Sequence, residues 1–145
     1  MDWKREAIDK LKCYEVKKSS YERASKEMHR LQDSMTSIHS AVGDSVPVRG
    51  GGNRREDALI NNIANRTELE WAMKEAKGWV DIVESGLSAL DTEERHILDR
   101  FFIHRTKGNA DRLCEELGVE KTRVYELRNQ ALRKFTLALY GVTEI

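Results

Sequence analysis

The sequence predicts an all-α protein: a long N-terminal antiparallel helical hairpin, coiled-coil-like in its spacing, followed by a smaller helical domain. Three observations lead there. Charged residues make up 34% of the 145 residues and proline occurs once, at Pro47, a composition of long solvated helices rather than of a thick core. Apolar residues recur at alternating steps of four and three over two long stretches, the period of a helical seam. Between those stretches lies GDSVPVRGGGNRRED, residues 43–57, where a proline and three successive glycines oppose helix continuation. The reading is therefore a first hairpin helix over 1–42, a flexible Gly-rich loop over 43–57, a second hairpin helix over 58–90 and a C-terminal domain over 91–145.

In the first helix one series runs Ala7, Tyr14, Tyr21, Met28, Met35 and Val42, and a second runs Trp3, Ala24, Leu31 and Ile38. Lys10 and Lys17 interrupt the second series, which predicts a weaker N-terminal half. Opposite charges one turn apart, such as Glu27 and Arg30, suit an exposed helical face. The glycine-rich connector lacks the GK[ST] and preceding strand of a phosphate-binding loop, so it reads as a linker. In the second helix Leu69, Met73, Ala76, Val80, Val83, Leu87 and Leu90 form the stripe, with Leu59 and Ile63 extending it backward. Gly78 and Gly86 each weaken that helix by about 1 kcal/mol relative to Ala. Two helices bury one narrow stripe each, so the hairpin is expected to recruit more helices, by self-association or by packing on the C-terminal domain.

The C-terminal segment opens with LDTEE, where Asp91 or Thr92 caps a helix whose acidic first turn suits its positive end. Ile97, Leu98, Phe101 and Phe102 form its inner face, and HRTKGN, 104–109, is a loop. A short helix from Ala110 to Leu117, a turn at Gly118 and a long helix from Lys121 to Tyr140 follow. Leu113, Cys114 and Leu117 face inward from the short helix. Gly118 permits the positive φ of the turn, Val119 plugs the corner, and Val124 and Leu127 return from the long helix. That is the core of a helix-turn-helix, whose second helix enters the major groove of DNA.

Charge agrees with this placement. The chain is neutral, with 25 basic and 25 acidic residues, which argues against general polyanion binding. Over 121–134, however, Lys121, Arg123, Arg128, Arg133 and Lys134 face only Glu126, an excess of four. Lys121, Thr122, Tyr125 and Glu126 occupy the groove-facing turns and carry groups able to read base edges. Arg123, Arg128, Asn129, Arg133 and Lys134 suit the flanking phosphates.

LDTEERHILDRFF followed by ADRLCEELGVEKTRVYELRNQALRKF resembles the fourth conserved region of bacterial sigma factors, over about residues 87–140. The matching positions of its last helix are Arg123, Val124, Leu127, Ala131, Leu132, Lys134 and Phe135. The resemblance implies promoter reading by Lys121, Thr122, Tyr125 and Glu126. The family commonly has Arg, Glu, Arg and Gln at those places, and the departure at all four argues against a standard −35 element. The chain is too short to hold, beside the hairpin, the sigma-factor parts that melt DNA. A free-standing domain of this kind behind a helical hairpin is similar to small phage and prophage transcriptional regulators of the ArpU and RinA type. That resemblance implies double-stranded DNA and RNA polymerase as partners in a bacterial host cell, while the narrow hairpin stripes suggest homo-oligomerisation through the hairpin and the cysteine usage a cytoplasmic setting.

Two other readings fit parts of the pattern. One is a small terminase-like subunit recognising a packaging site on DNA; the other is an RNA polymerase- or protein-binding helical module without specific DNA binding. An enzyme is not expected: His29, His39, His96 and His104 have no spacing that sets two ligands on one helix face, and Cys114 has a packing reason. No metal or cofactor is expected. Cys13 and Cys114 read as reduced thiols. No stretch approaches a membrane span, and the first residues lack the apolar core of a secretion signal. Trp3, Trp71 and Trp79 are assigned to helix packing, with Trp3 also free to meet a partner.

Overall fold

The computed structural model describes residues 1–44 and 52–142 of the chain. It is all-α: α1 (Trp3–Asp44), α2 (Gly52–Ser88), α3 (Thr92–Leu98) with a π-helical turn at Asp99–Ile103, α4 (Asn109–Leu117) and α5 (Lys121–Tyr140). No strand occurs among the described residues. The two long helices α1 and α2 pack against each other as the sequence predicts. Their ends differ from expectation. α1 continues to Asp44, and α2 starts at Gly52 rather than at residue 58. NRREDAL lacks any breaker, so helix propagates back through it once Leu59 is anchored. Residues 45–51, and the side chains of Ile38 and Val42, lie outside the described residues.

Two compact units divide the chain: residues 1–17 with 78–145, and residues 18–77. In the first, Ala7 and Leu11 of α1, Val83 of α2, Leu90, Leu98 of α3, and Ala131, Leu132 and Phe135 of α5 form one buried cluster. Burial of a side chain the size of Leu or Phe contributes about 1.5–3 kcal/mol, so the hairpin ends and the C-terminal helices stabilise each other. The expected separate domain over 91–145 is thus part of a larger unit. The N-terminal part of α1 is also not its weak half. Leu11, one residue beyond the polar position at Lys10, is wholly buried. Lys10 and Lys17 place their ammonium groups 4.5 and 5.0 Å from the centre of the Trp79 ring, where a cation is attracted to the aromatic face. Trp79 Nε1 donates to the Lys10 carbonyl at 3.2 Å, and Tyr14 donates its hydroxyl proton to Glu84 at 2.8 Å. Burial, followed by that carboxylate, pushes the Tyr14 hydroxyl up to about 12. Trp3 packs on Tyr140 with ring centres 5.0 Å apart.

In the second unit Met28, Leu31 and Ala76 are buried. The backward extension of the α2 stripe is corrected there: Ile63 is 48% exposed, whereas Asn62 is buried. Its amide donates to the Leu31 carbonyl at 2.8 Å, and Arg66 reaches the sulfur of Met35 at 3.0 Å. One buried amide in an otherwise apolar seam fixes the register of paired helices. Trp71 is 69% exposed, so its assignment to packing within the chain does not hold. A position two residues past Leu69 points away from the seam at about 100° per residue.

The C-terminal helices start as the sequence predicts. Asp91 accepts from the Glu94 amide at 2.8 Å, and Glu94 accepts from the Asp91 amide at 3.2 Å, a reciprocal capping box. α3 then loosens: the His104 amide donates to the Asp99 carbonyl, five residues back, at 2.7 Å. Within this turn consecutive aromatic residues serve different cores, Phe102 packing on the cluster around Phe135 and Phe101 on a second cluster around Val124.

Candidate nucleic-acid interface

The second cluster consists of buried Ile97, Leu113 and Val124, with Phe101, Cys114, Leu117, Val119 and Leu127 packed around it. The six side chains that the sequence assigned to this core are all there. The seventh residue, Gly118, acts through its backbone: it has φ 65° and closes α4, while a methyl group there would meet nothing within 4 Å. Its requirement is therefore conformational. The turn is held by the Val119 amide donating to the Cys114 carbonyl at 3.2 Å. α3 is tied to α4 by Glu116, whose carboxylate lies 2.6 Å from His96 Nε2 and 3.7 Å from Arg100. The His96 hydrogen bond, with Arg100 adding to it, holds the Glu116 carboxyl below its ordinary value.

On this base the first turns of α5 stand open. Lys121, Thr122, Arg123, Tyr125, Glu126 and Asn129 are exposed and Arg128 is half-buried. Lys121 lies 3.6 Å from Asp111. Arg123 pairs with Glu126 at 3.1 Å, so the Glu126 carboxylate is engaged by its neighbour. Both are exposed pairs, worth little and readily exchanged. Tyr125 is braced, with its ring centre 5.8 Å from that of Phe101. Arg128 lies 4.9 Å from the Tyr125 ring centre and 5.2 Å from that of Phe101, and donates to the Asn129 amide oxygen at 3.1 Å. A side chain stacked in this way loses less freedom on contact with a ligand.

The two residues at the far end of the basic run part company. Arg133 is exposed, with no hydrogen bond or ion pair to another described residue. Lys134 pairs with Glu94 at 2.9 Å, and the Glu94 side chain is only 15% exposed. That hydrogen bond raises the Lys134 ammonium above its ordinary value. Lys134 stands about half a turn from Tyr125, nine residues on at about 100° each, and is occupied in joining α5 to the capping box of α3. The sequence assigned it to phosphate because both residues look free in a one-dimensional reading; Glu94 lies 40 positions away. The support that Phe101 gives Tyr125 was missed, since the sequence placed Phe101 with Phe102 on a single inner face.

Among the described residues no cluster of three His, Cys, Asp or Glu side chains could hold a metal ion, and no helix is long and apolar enough to cross a membrane. Cys13 and Cys114 are free thiols. No protein-family model, curated protein or solved structure matches this chain.

Proposed function

We propose that the protein is a sequence-specific DNA-binding transcription regulator of phage or prophage type, acting at promoters together with RNA polymerase. The observation that carries this reading is the open outer face of α5, with Lys121, Thr122 and a braced Tyr125, seated on a core that fixes the crossing of α4 and α5. A helix presented in this way has the donors, acceptors and ring surface for base edges in a major groove. Arg133 and Arg128 supply charge for the neighbouring phosphates. The sigma-like pattern of the C-terminal segment supports a promoter rather than a packaging site.

The hairpin serves self-association in this reading. Ile60 and Trp71 are 63% and 69% exposed on α2, eleven residues apart and hence on nearly the same helical face. The same exposure favours, as a second reading, a module that docks another protein without selecting a DNA sequence.

Selection from random duplex DNA at moderate salt separates the two. A recovered motif that changes when Tyr125→Ala replaces the wild type is the expected result. Weak binding that is equal on all sequences and disappears with salt would refute sequence reading and leave the protein-docking module.

A further inference from the structure

The opening of the C-terminal helices onto α1 is a concavity of about 700 Å³. Lys12, Arg105, Lys107, Lys121 and Arg128 line it, and Asp111 is its one carboxylate. Five cations against one anion leave an excess of four in a chain of net charge zero. Asp111 is 3.6 Å from Lys121, and the side chains are 73% and 58% exposed, so that pair neutralises little. Lys12, Arg105 and Lys107 have no ion pair with another described residue. The loop that carries two of them is fastened: Thr106, between them, donates its hydroxyl proton to the Asn109 amide oxygen, and the buried Asn109 donates to the Arg100 carbonyl. Like charges held side by side by the fold repel one another until an anion enters.

We infer that this concavity seats backbone phosphates of the same DNA strand that flanks the groove read by α5, with Lys12, Arg105 and Lys107 as contacts additional to those on α5. The inference rests on the DNA-binding reading and extends it to the loop before α4 and to the hairpin. Duplex DNA is favoured because the concavity is lined both by Lys121 and Tyr125, from the groove-facing turns of α5, and by Arg128, one of its phosphate candidates. A strand tracking past that helix therefore meets the concavity directly. A polyanion with one charge per about 1.7 Å of axis satisfies several separated cations at once, as a single small anion does not.

The test uses the full chain, with the duplex recovered by selection and a scrambled duplex of equal length. Affinity is measured across a salt series for the wild type, for Arg105→Gln/Lys107→Gln, for Lys12→Gln and for Lys107→Arg. The double substitution is expected to weaken both duplexes equally and to make the slope of log K against log salt shallower by about 0.9 for each phosphate contact removed, hence by about 1.8. Lys12→Gln should lower it by about 0.9, and Lys107→Arg should preserve it. Wild-type binding with an unchanged slope in the glutamine variants overturns this inference while leaving the DNA-binding reading intact. A wild type that binds no duplex overturns both. Saturable binding of a nucleoside triphosphate to the free protein, lost in the double variant while its DNA slope is unchanged, would reassign the concavity to a free phosphorylated ligand.

Discussion

A methyl group added to Gly86 would lie 2.6 Å from the Phe135 ring and 2.8 Å from the Leu139 side chain. Phe135 is completely buried, so the close approach of α2 to α5 depends on the missing side chain. Gly86→Ala, which raises intrinsic helix propensity, is therefore expected to destabilise the fold by about 1–3 kcal/mol through overpacking, read by urea denaturation. Gly78→Ala meets nothing within 4 Å and should stabilise α2 by about 1 kcal/mol. His104 gives a second prediction at this scale. It lies 2.7 Å from Asp99 and 3.2 Å from Glu15, and the Asp99 hydrogen bond, against some desolvation, raises its value above 6.5. Because the folded value is the raised one, the stabilisation is complete below the unfolded value of about 6.5 and is lost as pH rises through the folded value. Melting curves between those two limits should fall with pH in the wild type and show a smaller fall in His104→Gln.

At the scale of elements, α5 serves two neighbours through residues that are adjacent in sequence. Arg133→Gln is expected to weaken binding to every duplex and to lower the salt slope by about 0.9. Lys134→Gln should leave that slope unchanged and instead lower thermal stability, because Lys134 holds the α3 capping box through Glu94. If the two substitutions moved the salt slope alike, the distinction between them would fail. The sequence showed the heptad spacing of both long helices, a cap at Asp91 or Thr92 and the six core side chains beneath α5, all of which are local patterns set by helical period or turn chemistry. It concealed what depends on a distant neighbour. Lys10 and Lys17 read as interruptions because Trp79, which receives them, lies 69 and 62 positions away. Asn62 replaced Ile63 in the seam because its amide finds the Leu31 carbonyl. The π-helical turn that carries Phe101 left no mark in composition, and neither did the contact of Phe101 with Tyr125. The exposed first turns of α5 were legible, whereas the gathering of Lys12, Arg105 and Lys107 around one space was not, since only the fold brings them together.

For the molecule as a whole, the unit that contains α5 is assembled from both ends of the chain. Ala7 and Leu11 are wholly buried in the cluster that holds Leu132 and Phe135. A fragment limited to 91–145 exposes the side of α5 and α3 that these residues cover, and is expected to lack the dispersed amide and methyl resonances of a folded domain in NMR spectra. A cooperatively folded fragment would show that the small cluster around Leu113 and Val124 suffices by itself. The exposed Ile60 and Trp71 give a prediction about assembly: Trp71→Glu should shift the sedimentation profile toward smaller species without changing helix content. An unchanged profile would remove α2 from the association surface.

The same closure of chain ends sets an order of events during synthesis. Leu11 leaves the ribosome before Phe135, which shares its buried cluster and follows 124 residues later, a delay of roughly 6–25 s at about 5–20 residues per second. Through that interval the apolar side of the nascent first helix has no C-terminal helix to cover it. The cluster around Leu11 therefore closes only after the last helix of the unit has been made.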